Sequence, residues 1–404
     1  MTLVERKGNE MKLYIIAGEF SGDFIGGLLI SAIKEQLKSD DNIKFHGIGG
    51  KNMGNEGLRS LFPMKHINLM GFFEIIPHIF RLNKLINKTI EDIIVQNPNI
   101  LITIDSPGFT YRIAKKIKEI APHIKLVHIV APSVWAYKPG RAKKYAQIYD
   151  HLLTLLHFEP KYFTKHGLNS TCIGHPILEQ KFFTKSKELR LEALQEIDIS
   201  GNVKEENVKD ENMKIIAVTP GSRPGEITRH MPIIRQALDD LANLCNIKVI
   251  FVQPNESNMY NILKYLNGAK FEFGFSTNRL KIFAISDCAL SKSGTNTLEI
   301  SASGTPMIIG YKLNPITYFF LKMIIKVKYV SLINIIARSE LIPEYIQSKF
   351  NATNICSALK ELLSDDKKAK NQVVQSQEVL KSIGFNYGQS PSQIAAKIII
   401  DMIR

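Results

Sequence analysis

The sequence predicts an α/β protein of two doubly wound, Rossmann-like domains facing each other across a cleft. Short apolar runs alternate with helical patterns, one polar stretch interrupts the alternation, and the alternation then restarts. At 404 residues the chain is long for one domain and comfortable for two.

In the first half, KLYIIA (12–17), IKFHGI (43–48), ILITI (100–104), KLVHIV (125–130), HLLTLL (151–156) and STCIG (170–174) read as strands. Runs apolar on both faces indicate parallel strands buried beneath helices. Amphipathic stretches such as Asp23–Lys38 and His78–Gln96 supply those helices. Residues 185–214 are polar, charged and poor in aromatics, with a mobile loop expected over about 199–213. The pattern resumes with IIAVTP (215–220), IKVIFV (247–252), KFEF (270–273), CALSK (288–292) and PMIIG (306–310). The expected organisation is a first domain over 1–183, a polar linker over 184–213, a second domain over 214–384 and a packing helix in 385–404.

Fifty-two Lys and Arg against 38 Asp and Glu give a formal charge of +14. Nucleic acid, an anionic membrane surface and phosphorylated substrates all suit that balance, as does a Lys-rich solvated surface. The basic residues are dispersed and no recognition motif accompanies them, which argues against nucleic acid. The four cysteines are scattered without metal spacing, as expected of free thiols in a reducing compartment. No secretory pattern opens the chain, so a cytoplasmic protein is expected. Neither an Asp-x-Asp pair nor a His/Cys cluster occurs, so neither a metal nor any other cofactor is expected.

Two turns in the second half have the form that grips anions. In LSKSGTNTLE (290–299), Ser293, Gly294 and Thr295 precede a helix, and Glu299 lies one turn after Thr295, where a carboxylate accepts from ribose hydroxyls or simply faces solvent. In VTPGSRPGE (218–226), Gly221 and Ser222 allow close backbone approach, and Arg223 offers a planar fork to phosphate or stands as a surface arginine. In the first half, Asp105 ends an apolar strand and Ser-Pro-Gly breaks its continuation, so it projects from the carboxyl edge of the sheet or caps the next helix. In YIIAGEFSGD (14–23), Gly18 and Gly22 permit close approach, Glu19 supplies a carboxylate, and Ser21 with Asp23 caps the helix. Its spacing fits neither a hydrolase elbow nor a dinucleotide fingerprint. His175 reads as a structural hydrogen-bonder. Trp135, beside Lys138 and Arg141, either stacks on a sugar or belongs to the core. Phe72, Phe73 and Phe80, followed by Arg81, Lys84 and Lys88, form a sticky basic stretch suited to a membrane surface, an acyl groove or a core helix; Ile316–Val330 is similar.

The ordered set GEFSGD, GIGG, TIDSPGF, PSVWAYKPGR, GHP, PGSR, SGTNTLE and YVSLINIIA resembles lipid A disaccharide synthase from about Met11 to the C-terminus. That family consists of inverting GT-B glycosyltransferases of the bacterial envelope. They join UDP-diacylglucosamine to diacylglucosamine 1-phosphate, giving a β-1,6 disaccharide and UDP. The resemblance implies UDP in the second domain, with Arg223, Ser222, Ser293, Gly294, Thr295 and Asn296 at the diphosphate, Glu299 at the ribose and Asn334 facing the donor. Asp105 maps onto the family's base, with Glu19 as a second carboxylate near the reacting centre. Gly18, Ser21, Trp135, Phe72 and Phe73 would meet the acceptor and its acyl chains. Peripheral attachment to the inner face of the cytoplasmic membrane and a homodimer are likewise implied. This chain has Ile333 where the family often has proline, and Gly108 in place of a second Asp. Another UDP-sugar enzyme, an epimerase or a murein-pathway transferase, is the alternative.

Overall fold

The structure, a computed structural model, describes residues 10–37, 42–67, 79–197, 213–252, 256–294, 296–315, 317–319, 327–384 and 388–404. The chain divides into two compact units, Met1–Glu179 with Asn386–Arg404, and Gln180–Phe385.

In the first unit the apolar runs become β1 (Met11–Ala17), β2 (Ile43–Ile48), β4 (Ile100–Ile104), β5 (Lys125–Ile129), β6 (His151–Thr154) and β7 (Asn169–Cys172), joined by a two-residue edge strand, β3 (Arg59–Ser60). They pair in parallel in the order β3-β2-β1-β4-β5-β6-β7. All five residues of β4 are buried, as a strand covered on both faces requires. The helices are α1 (Phe20–Gln36), α2 (Lys51–Asn55), α3 (Ile79–Gln96), α4 (Pro107–Ile120), α5 (Arg141–Ala146) and α6 (Lys161–Thr164).

The second unit starts with α7 (Lys187–Gln195), capped by the Ser186 hydroxyl accepting from Leu189 N. Its sheet comprises β8 (Lys214–Thr219), β9 (Ile247–Val252), β10 (Glu272–Ser276), β11 (Cys288–Ser291), β12 (Met307–Tyr311) and β13 (Glu344–Ile346), parallel in the order β10-β9-β8-β11-β12-β13. Its other helices are α8 (Pro224–Ala242), α9 (Glu256–Leu263), α10 (Arg279–Ile285), α11 (Asn296–Ala302), α12 (Leu332–Ala337), α13 (Ala352–Ser364) and α14 (Asp366–Ser382).

The last helix, α15 (Pro391–Ile403), returns to the first unit. A capping box of Ser390 and Gln393 starts it, Ser392 donates to the Glu179 carboxylate through its N–H (2.7 Å) and hydroxyl (2.5 Å), and Gln36 reaches the Gln393 carbonyl at 2.8 Å. Two details differ from the sequence reading. The first unit closes at Glu179, and part of the expected linker is the helix α7, which a serine cap and the buried Leu189, Ala193 and Leu194 stabilise. The expected mobile loop, apart from Met213, lies outside the described residues.

In each sheet the strand order reverses once, between β1 and β4 and between β8 and β11. Open parallel sheets bind ligands just beyond the carboxyl ends of the strands at such a reversal.

Candidate active site

At the first reversal, β4 delivers Asp105. Asp105 (φ 50°) and Ser106 (φ 49°) both occupy the left-handed region, a strain of order 1–3 kcal/mol each that functional turns often carry. Three hydrogen bonds hold the turn: Asp105 N to the Ile129 carbonyl (3.0 Å), and the Thr110 hydroxyl to the carbonyls of Asp105 (2.7 Å) and Ser106 (3.0 Å). Ser106, not Asp105, occupies the N-cap position of α4, with Pro107 in its first turn. Burial pushes the Asp105 carboxyl above its ordinary 3.8, against the opposing pull of the Ser106 N–H.

β1 ends alongside, with Ala17 in register with Ile104. Gly18 follows, and a Cβ there would lie 2.3 Å from the Ser106 hydroxyl, so only glycine lets the two turns meet. Glu19 is the N-cap residue of α1 but its side chain makes no capping bond, and both Glu19 and Ser21 are exposed. The expected helix cap by Ser21 and Asp23 is therefore corrected. Asp23 is 1% exposed and caps a different helix, accepting from Gly50 N (2.6 Å), Asn52 N (2.9 Å), Asn52 Nδ2 (2.9 Å) and Met53 N (3.2 Å) at the start of α2. The GEFSGD and GIGG motifs are thus one clamp, which fixes the start of α1 beside Asp105.

Trp135 is half-buried. Its indole N–H donates to Glu159 at 3.1 Å, and its ring meets Phe158 edge-on at 5.4 Å. Glu159 also accepts from the N–H groups of Leu155 (3.2 Å) and Leu156 (3.0 Å). Burial raises its carboxyl despite these donors. The polar edge of Trp135 therefore serves the fold, and only its ring face remains for a ligand. His175 accepts from Ile177 N at 3.2 Å, a structural bond, and burial pushes it down to about 4.

At the second reversal, Gly221 (φ 136°) allows the turn after β8 to fold over Glu226, whose Cβ would lie 2.8 Å from a Cβ at Gly221. Ser222 and Arg223 are exposed, with Arg223 the N-cap residue and Pro224 next in α8. Glu226 occupies the third helical position, 3% exposed, and reaches back to Ser222 N at 3.2 Å. It pairs with Lys292 at 2.9 Å and accepts from the Tyr311 hydroxyl at 3.3 Å. Burial, the largest single influence, would raise its carboxyl, but the Lys292 ammonium together with Arg223 and the Ser222 N–H holds it below the ordinary range. His230 joins the same turn to the end of β12: Nδ1 lies 2.6 Å from the Pro220 carbonyl, and Nε2 lies 3.0 Å from Lys312 N and 3.2 Å from its carbonyl, while burial holds the ring below the ordinary histidine range. Sequence reasoning missed Glu226, Lys292 and His230. A glutamate three residues after a helix start was the available signal for the first.

The Ser293 hydroxyl donates to the Val330 carbonyl at 2.6 Å, Gly294 is exposed at φ 152°, and Asn296 is half-buried at the start of α11. Glu299 is buried, paired with Arg279 at 2.8 Å and accepting from Gln180 at 3.4 Å, so in this structure its carboxylate is already engaged. Asn334 departs furthest from expectation. It is fully buried, donating to the Ile342 carbonyl (2.7 Å) and Glu344 (2.9 Å) and accepting from Leu341 N and Ile342 N (both 2.9 Å). With both donors and both acceptor positions used, its side chain holds residues 341–344 together in this structure. Thr295, Phe72 and Phe73 lie outside the described residues. Among the described residues no three His, Cys, Asp or Glu side chains form a metal-binding group.

Two units, each a doubly wound parallel sheet with candidate residues at its reversal point, define the class as a two-unit Rossmann-like α/β protein. The family model described as lipid-A-disaccharide synthetase matches residues 13–398. The lipid-A-disaccharide synthase of Rickettsia felis is 52% identical over 390 residues, covering 96% of this chain and 95% of the relative. That of Rickettsia prowazekii is 51% identical over 391 residues, covering 96% and 98%. Among solved structures, UDP-GlcNAc 2-epimerase from Neisseria meningitidis bound to UDP-GlcNAc matches with a TM-score of 0.60 at 12% identity over 98% and 99% of the two chains. The glycotransferase of kitacinnamycin matches at 0.57 and 11% over 98% and 100%. At those identities the structures speak for the fold alone. The chain belongs to the lipid-A-disaccharide synthase family and is a glycosyltransferase that forms the lipid A disaccharide.

Proposed function

We propose that the chain transfers diacylglucosamine from UDP to the 6-hydroxyl of diacylglucosamine 1-phosphate, with inversion, and that Asp105 takes the acceptor proton. The observation that carries this is the strained Asp105–Ser106 turn at the reversal of the first sheet, where a partly enclosed carboxylate stands on a rigid strand end. A base so placed removes the hydroxyl proton as oxygen attacks the sugar carbon and UDP departs from the opposite face.

The second unit holds UDP in this reading. Arg223 is the group at its reversal best suited to the departing diphosphate, because Lys292 is already paired with Glu226. Catalysis without a metal is part of the proposal, with Arg223 and backbone amides stabilising the charge. Incubation of purified protein with both sugars should yield equimolar UDP and β-linked disaccharide; an α linkage or UDP release without disaccharide would contradict the reading. Arg223→Ala should weaken UDP binding by roughly tenfold or more in calorimetry, the worth of a charge-assisted phosphate contact. Unchanged affinity would remove Arg223 from the donor site.

Peripheral attachment to the inner face of the cytoplasmic membrane is the second part. Among the described residues no helix is long and apolar enough to cross a membrane. Phe80 is 87% exposed at the start of α3, with Arg81, Lys84 and Lys88 also exposed, while Ile86 and Ile93 face the core. Sedimentation with anionic vesicles is expected, and Phe80→Ser should reduce it; equal binding by the variant would move the contact elsewhere. A homodimer remains part of the proposal on family grounds.

A further inference from the structure

We propose that Phe20 is a specificity-determining residue that packs against an acyl chain of a reacting sugar beside Asp105. The proposal rests on the reading of Asp105 as the reacting carboxylate.

Phe20 is the first residue of α1 and is 72% exposed, whereas Leu29, Ile30, Ala32 and Ile33 of the same helix are buried. Among the described residues the fold leaves this ring uncovered. A helix start favours small polar residues, and phenylalanine is a weaker helix former than alanine. Its neighbours Glu19 and Ser21 are polar and exposed, so the ring is an isolated apolar feature in a polar turn.

Its place is well determined. Gly18, two residues earlier, lies against the Ser106 side chain, and Gly22, two residues later, sets its Cα face toward Ile104, with an added Cβ 3.5 Å from the Ile104 carbonyl. The first turn of α1 thus lies over the end of β4, and the Asp23 clamp to Gly50, Asn52 and Met53 fixes it. An exposed ring on the turn that meets Ser106 and Ile104, in an enzyme whose sugars carry acyl chains, supplies apolar surface that such a chain would bury.

The chain could come from the acceptor or the donor, and the test separates them. Wild type, Phe20→Ala and Phe20→Leu are assayed in mixed micelles with acceptors of graded acyl length against a fixed donor, then with the series reversed. For the longest chains, Phe20→Ala should lose about tenfold in kcat/KM, mainly through KM, as expected for a partly buried phenylalanine. The loss should shrink as the chain shortens, and Phe20→Leu should recover most of it. The series in which loss tracks length identifies the sugar. Identical chain-length dependence in wild type and Phe20→Ala overturns the proposal. So does a loss that follows micelle or vesicle concentration instead of chain length, which would place Phe20 in lipid. Full turnover by Asp105→Asn would instead remove the underlying reading of the site.

Discussion

Asp105→Asn is expected to lower kcat by about 10²–10⁴-fold while leaving UDP affinity unchanged, the range general-base removal typically costs. The substitution keeps size and shape, and the turn that holds the residue depends on backbone groups: Asp105 N on Ile129, and the Thr110 hydroxyl on the carbonyls of Asp105 and Ser106. The fold should therefore survive, and only the proton acceptor is lost. UDP binding is a property of the second unit in this account, so calorimetry with UDP separates a chemical defect from a binding defect. A variant with wild-type kcat would exclude Asp105 as base, and one that also lost UDP would show that the turn has a wider structural role.

The second large effect concerns stability. Asp23→Ala should destabilise the first unit by about 3 kcal/mol, because the N–H groups of Gly50, Asn52 and Met53 lose their acceptor together and the side chain they surround is 1% exposed. Trp135 is the only tryptophan and lies in the first unit, so its fluorescence during urea unfolding reports that unit directly. Asp23→Asn keeps the volume and one acceptor oxygen and should fall between wild type and Asp23→Ala. A urea midpoint unmoved in Asp23→Ala would show the clamp to be redundant. Activity should fall with stability, since the same clamp seats α1 beside the Asp105 turn.

These two residues also show how far sequence reading reaches. The strand-end position of Asp105 was legible because its signal is local: four apolar residues and a threonine, a carboxylate, then Ser-Pro-Gly, with the strand buried throughout. Most of the parallel strands were legible for the same reason. β3 and β13 were not, because Arg59–Ser60 and Glu344–Ile346 are short and partly polar and become strands only by pairing with an existing edge. Asp23 was read as a cap for its own helix because that is the local option, yet its partners lie 27 to 30 residues away. Likewise Glu226 and Lys292 are 66 residues apart and meet only because β8 and β11 are neighbours. Asn334 is a different case. Its motif was recognisable, but its buried amide is saturated by Ile342, Leu341 and Glu344, a role that hydrogen-bond bookkeeping reveals and a motif does not.

The dependence of kcat/KM on pH, measured for wild type and Asp105→Asn, tests the central claim most directly. The base acts when ionised, so activity should be constant at higher pH and fall as pH drops through its pKa. Because burial raises the Asp105 carboxyl above 3.8, that fall should begin at a higher pH than for an exposed aspartate, and the residual activity of Asp105→Asn should lack it. The same acid limb persisting in Asp105→Asn would assign the proton to another group and contradict the mechanism.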